Sequence, residues 1–259
     1  EKCTKLERVE LSKNLETLGI GVFFWCSQLT SIHIPKSLKE ADYNYYNNVM
    51  AGTFAECTRL KTVTFEEGTT EIAECLFANC DSLEEIEIPD TVSVIERYAF
   101  SECDGLTEVV MPDSVTEIET GAFSKCSHLQ NITLSKNLTN IENEVFINCS
   151  ALEEIEIPDS VIKIGNLAFQ SCSSLKSITI PNSVTEIGYG VFEDCTELIS
   201  IEFKAKNPLI IDQRPLYGVS RLIQIKVPCG SKVIYQCTNV WNEFVNYEEV
   251  TEATLKVNV

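Results

Sequence analysis

The sequence predicts a solenoid with one parallel β-strand per turn, and three observations carry the prediction. Nine cysteines keep one register: Cys3, Cys26, Cys57, Cys80, Cys103, Cys126, Cys149, Cys172 and Cys195 follow at intervals of 23 residues, except for a single interval of 31. Phenylalanine stands three residues before each of them but the first, from Phe23 to Phe192, and leucine three residues after each, from Leu6 to Leu198. Beyond each leucine, apolar side chains return at +3 and +5, as in Ile86 and Ile88 or Ile178 and Ile180. Period two over β-branched residues marks a strand with one buried face. One such unit cannot enclose its own apolar side chains, whereas stacked units bury them in a continuous interior.

Within a unit the elements follow in order. The strand ends at a turn such as Pro89-Asp90-Thr91, Pro158-Asp159-Ser160 or Pro181-Asn182-Ser183, because proline lacks the N–H that a continuing strand would need. A second apolar pair follows, Val92 with Ile95 or Val184 with Ile187, and reads as a short strand or turn on the other side of the solenoid. Ten Leu-x-x-Ile-x-Ile segments, the last the degenerate Leu222, Ile225 and Val227, give about ten turns over residues 1–228. Residues 229–259, with Tyr235, Trp241 and Phe244, read as a capping segment and tail whose aromatic side chains cover the last open edge of the core. Glu1 falls inside a unit, so the other edge is predicted to be uncapped and the chain to be a piece of something longer. The long interval holds an eight-residue insertion at about 42–50, rich in Tyr and Asn.

Composition excludes several classes. A hydrophobic fraction of 44% with 23% charged residues is that of a globular chain, not a disordered one. A net charge of −19 argues against nucleic acid or an anionic membrane surface as partner. Nothing approaches an apolar run of about 18 residues, so no membrane insertion is expected.

The unit Phe-x-x-Cys-x-x-Leu-x-x-Ile-x-Ile-Pro-x-Ser-Val-x-x-Ile-Gly, most complete from Phe169 to Gly188, resembles the BspA-like leucine-rich repeat of bacterial and some protozoan surface proteins. The resemblance covers residues 3–228 and implies a leucine-rich-repeat solenoid. It further implies a cell-surface or secreted module that attaches to host matrix, mucosal glycoprotein or other cells.

The cysteines themselves point to packing. No Cys-x-x-Cys pair supplies a metal site. Equivalent residues on neighbouring turns have parallel Cα–Cβ vectors and Cβ atoms roughly 4.8 Å apart, beyond the usual reach of a disulfide. A ladder of buried, reduced thiols acting as small hydrophobes is expected. Cys75, Cys229 and Cys237 lie outside it, and pairing of the last two stays open.

Catalytic constellations are missing. The two histidines fall on different turns, His33 on the outer face of its strand and His128 in the loop before Leu129. Motifs of acyl transfer, nucleotide hydrolysis and zinc proteolysis do not occur. No enzymatic activity, cofactor or metal is expected, and the chain is expected to be monomeric. Paired carboxylates such as Glu154 and Glu156 have the spacing for acid–base work, but adjacent side chains on an open sheet do not exclude water.

Surfaces carry the candidate sites. Positions +2 and +4 from each leucine face solvent, and Glu85, Glu87, Glu108, Glu154, Glu156 and Glu202 stand among them. Like charges on neighbouring strands repel, which points to a basic or cation-bridged partner; the alternative is that they keep an exposed sheet solvated. In the insertion Tyr43, Tyr45 and Tyr46 give a recognition-type composition, with the alternative that they fold back on the solenoid. The leading expectation is a non-catalytic module that binds a protein or glycoprotein, through either surface. The alternative is a structural spacer within a larger surface protein.

Overall fold

The computed structural model describes residues 3–42, 44–46, 49–209, 216–238 and 240–251, with the backbone alone for 44–46 and 49–51. The chain winds into a parallel β-solenoid of about nine turns of about 23 residues, as the register of Phe, Cys and Leu predicts. The main side carries strands Ser31–Ile34, Thr62–Phe65, Glu108–Val110, Asn131–Thr133, Ser177–Ile180, Ser200–Phe203, Gln224–Pro228 and Asn246–Val250. Neighbours pair in parallel, so that Ile178 lies beside Ile201 and Ile201 beside Ile225. Two-residue strands such as Val94–Ile95 and Glu117–Ile118 form the second side, the short strands expected from the second apolar pair.

The third side is a curl that the sequence does not announce. Trp25, Glu56, Asn79, Glu102, Lys125, Asn148, Ser171 and Asp194, each immediately before a repeat cysteine, have φ of 57–61°. None is glycine, and each carries a cost of order 1 kcal/mol for a left-handed backbone. The conformation aims N–H groups at the following turn: Tyr98, Phe100 and Glu102 donate to the carbonyls of Thr120, Ala122 and Ser124 at 3.1, 2.9 and 2.8 Å. The same triad recurs from Gly121, Phe123 and Lys125 onto Asn143, Val145 and Ile147. Gly121 (φ 66°) is required for a second reason, since a Cβ there would run into the Tyr98 ring.

Inside the curl the phenylalanines form one column. From Phe23 to Phe192 successive rings stack with centroids 5.0–6.1 Å apart and planes within 17°. From Phe54 to Phe192 the rings are buried, and deleting one from the middle costs about 3–5 kcal/mol. Beside them runs the thiol ladder, all twelve cysteines standing as thiols. The ladder thiols are more than small hydrophobes. Each from Cys57 to Cys195 donates its S–H to the carbonyl of the phenylalanine one turn earlier, as Cys103 does to Phe77 and Cys126 to Phe100, both at 3.1 Å. That carbonyl also accepts the N–H of its own turn's cysteine, so both lone pairs are used.

The ends depart from the repeat. Residues 6–11 form no strand, since no earlier turn pairs with them among the described residues, and Leu6, Val9 and Leu11 are only half-buried. This accounts for about nine turns where ten are expected. Leu222 is 70% exposed rather than inward, and Ile223 takes its place at 3%. Leu222 stands 24 residues after Leu198, as Ile225 stands 24 after Ile201, so the exchange of Leu222 for Ile223 is a local change just before the strand. Strand Asn246–Val250 then pairs with Gln224–Pro228, and the Tyr247 hydroxyl donates to the Trp241 carbonyl. Trp241 lies edge-on to Phe203 at 4.7 Å and donates its indole N–H to the Leu209 carbonyl, while the Tyr235 hydroxyl donates to that of Ala205. Cys229 and Cys237 are exposed thiols.

Two outcomes follow from the thiols. A water-soluble thiol reagent should label Cys3, Cys229 and Cys237 in the folded protein and the nine buried cysteines only after unfolding, counted by mass spectrometry. Burial pushes Cys126 and Cys195 up to about 12 from near 9. Between those values the unfolded chain has lost protons that the folded one keeps. Stability is therefore full below about pH 9 and falls above it, by about 1.4 kcal/mol per pH unit for each such thiol. Urea unfolding at about pH 8 and pH 10 should show this decline, made shallower by Cys126→Val.

Candidate functional site: the outer sheet face

The sheet face alternates as its pleat requires. Ile86, Ile88, Ile155 and Ile157 are buried, whereas Glu85, Glu87, Glu108, Glu154 and Glu156 are exposed. Glu108 sits opposite Asn131 on the next strand and below Val110, which is 56% exposed. His33 lies on this face, its Nδ1 2.9 Å from the Thr64 hydroxyl, and His128 is exposed beside Ser127. Neither histidine approaches the carboxylates named above closely enough for an ion pair.

Four carboxylates beside the face are compensated, whereas five of those on it are not. Lys61 reaches Glu84 at 3.2 Å, Lys125 reaches Glu102 and Lys176 reaches Glu153, both at 2.5 Å, and Lys136 reaches Asp113 at 3.7 Å. Each pair bridges adjacent turns, 23 residues apart, and each exposed pair stabilises by about 1 kcal/mol or less. The Glu153 hydrogen bond and charge raise the Lys176 ammonium above its ordinary range. Among the described residues Glu85, Glu87, Glu108, Glu154 and Glu156 make no ion pair. Glu202 differs from the expectation: it is half-buried and bound to Lys204 at 2.5 Å, because a lysine two positions along the strand lies on the same face.

The sheet is also interrupted, where the sequence suggests an unbroken ladder. Residues 83–89 and 152–158 run between the strands without strand pairing, although their isoleucines stay buried. Both interruptions fall on one octapeptide, Leu-Glu-Glu-Ile-Glu-Ile-Pro-Asp, which occurs at Leu83–Asp90 and again at Leu152–Asp159. These turns place glutamate at both outward positions, the highest density of like charge on the face. Repulsion favours the looser approach.

On the curl, burial and then neighbouring carboxylates raise Asp81, with Asp104 and Glu102 close by. Glu56 is raised by burial and held back by a hydrogen bond from Trp25. Within the 42–50 insertion, Asn44–Tyr46 pairs antiparallel with Val49–Ala51, Tyr45 opposite Met50. Tyr43 lies outside the described residues, and the backbone places Tyr45 and Tyr46 on the first arm of the hairpin. The structure does not join the hairpin and Glu85–Glu156 into one site. Among the described residues no group of His, Cys, Asp or Glu is arranged to hold a metal, and no helix is long and apolar enough to cross a membrane.

The sequence matches the BspA type leucine rich repeat region in six copies, over residues 1–51, 47–161 and 139–239. The chain belongs to the BspA-type leucine-rich repeat family. Comparison with curated proteins finds no match. Among solved structures it is similar to a leucine-rich repeat protein from Bacteroides ovatus, with 26% identity and a TM-score of 0.58 over 91% of this chain and 64% of that one. This chain thus spans less than two thirds of that protein. The fold is shared with the pneumococcal vaccine antigen PcpA at 19% identity and a TM-score of 0.52, over 91% of this chain and 72% of that one.

If the face carboxylates repel one another, Glu85→Gln, Glu87→Gln and Glu108→Gln together should raise stability at low salt by about 1 kcal/mol or less, a gain that fades at high salt. Glu202→Gln should bring no such gain, because it forfeits Lys204. Urea midpoints across a salt series check both, and a salt-independent loss in the triple variant would refute the repulsion.

Proposed function

We propose that this repeat domain is a non-catalytic binding module, at the cell surface or secreted, that adheres to a basic protein or glycoprotein through its outer sheet face. The observation that carries the reading is a set of five face carboxylates with no ion-pair partner among the described residues. Lysines neutralise Glu84, Glu102 and Glu153, whereas Glu85, Glu87, Glu108, Glu154 and Glu156 keep their charge toward solvent. A rigid core fixes their positions without any ligand. A cationic partner therefore meets a surface that loses little entropy on binding. Leucine-rich repeats commonly bind proteins on extended faces of this kind. Host matrix and mucosal glycoproteins fit as partners, and a surface location follows from the family's character rather than from a signal in these residues. The hairpin with Tyr45 and Tyr46 is the second place where a partner would sit, since it breaks the repeat on a rigid scaffold.

Binding to immobilised matrix proteins and mucins over a salt series tests the reading. Affinity should fall about tenfold between about 50 and 300 mM salt, and a variant with all five face glutamates changed to Gln should bind no better at low salt than the parent does at high salt. Salt-insensitive binding lost in Tyr43→Ser/Tyr45→Ser/Tyr46→Ser would move the site to the hairpin. Absence of binding throughout would leave a spacer.

A further inference from the structure

The interruption at Leu152–Asp159 opens a cleft of about 440 Å³ against the preceding turn. Ile132, Leu134 and Ile157 line it through the little surface they expose, 5–7% each. Lys136, Glu156 and Asp159 line it as well, the first from the earlier turn and the other two from the later one. Lys136 is already engaged with the turn before: its ammonium faces Asp113 at 3.7 Å, and its backbone N–H donates to the same carboxylate at 3.2 Å. Glu156 and Asp159 have no counter-ion among the described residues. The volume lies in the range of small-ligand pockets, about 300–1,000 Å³.

We infer that this cleft receives the arginine or lysine side chain of an extended segment of the partner, its aliphatic stem over Ile132, Leu134 and Ile157 and its cationic head between Glu156 and Asp159. An apolar lining beside two carboxylates matches a side chain that is itself apolar along its stem and charged at its tip. Arginine suits it better than lysine, because its planar fork satisfies a carboxylate with two parallel hydrogen bonds. This inference rests on the binding reading above and gives that reading one anchoring point.

The other copy of the octapeptide is an internal control. Glu87 and Asp90 repeat the carboxylates, but the position of Leu134 is taken there by Phe65, whose ring packs edge-on against Phe77 at 6.3 Å. Changing Leu134 to the residue that nature places at the equivalent position enlarges the side chain there and leaves every charge in place.

The experiment titrates the full chain with acetyl-Gly-Val-Arg-Val-Gly-amide and its citrulline twin, followed by amide chemical shifts. Shifts should concentrate at 132–136 and 156–160, with the citrulline peptide about tenfold weaker. Leu134→Phe and Glu156→Gln/Asp159→Asn should each weaken the arginine peptide by about tenfold, and Glu87→Gln/Asp90→Asn should leave it unchanged. Thermal unfolding confirms that each variant is folded; the surface pair keeps the test decisive if Leu134→Phe is not. Shifts spread along the whole face, undiminished binding to Glu156→Gln/Asp159→Asn, undiminished binding to a folded Leu134→Phe, or equal loss in Glu87→Gln/Asp90→Asn would each overturn the inference. Should the parent chain bind the matrix panel in a salt-sensitive way and yet ignore the arginine peptide, the cleft assignment fails while the face reading stands.

Discussion

The structure hangs on the phenylalanine carbonyl, which accepts the N–H of the cysteine on its own turn and the S–H of the cysteine on the next. A buried carbonyl left with an open lone pair in so apolar an interior would be costly, so the acceptor fixes where the next turn must lie. The other regularities follow from that distance. Rings stack because their backbones are held one turn apart, and the residue before each cysteine turns left-handed because only then do the curl's N–H groups meet the following carbonyls. The thiol is suited to this place: small enough for the column, a donor, and reluctant to ionise when burial raises it well above its ordinary value.

With the interior settled by Phe, Cys and Leu, the outward positions are released from packing and vary freely from turn to turn. Lysine and glutamate on the flanks use that freedom to tie adjacent turns, and the sheet face uses it to hold charge in fixed places. A solenoid has no central cavity in which water is excluded around paired carboxylates. Local departures from the repeat therefore become its distinctive features. The hairpin inserted after Asp42 and the two loosened turns are such departures, each visible as a break in an otherwise monotonous ladder.

Much of this was legible in the sequence because the interior tolerates few substitutes. A ring at every Phe position and a period-two strand after every Leu are direct imprints of packing. What escaped has identifiable causes. Left-handed curl residues such as Glu56, Lys125 and Asp194 are ordinary amino acids, so no glycine marks them. Cysteine in register reads as a small hydrophobe, which hides its donor role. Leu222 carries the expected letter three residues before Ile225, yet its neighbour Ile223 is the one buried, a choice between two adjacent apolar residues that spacing does not decide. Glu202 occupies the same outward position as its neighbours on the face, but Lys204 on the same side of the strand neutralises it. The interruptions had a signal in plain view, the repeated octapeptide, but its effect on backbone pairing depends on how closely two turns approach, which no single unit encodes.

That octapeptide recurs after 69 residues, three whole periods. The stretch between the two copies is thus a cassette of three turns whose ends match. Loss or duplication of such a cassette would yield a shorter or longer solenoid in the same register. The length of the molecule, and with it the number and spacing of acidic patches that it displays, is thereby a heritable variable that selection can adjust in steps of whole turns without rebuilding the fold.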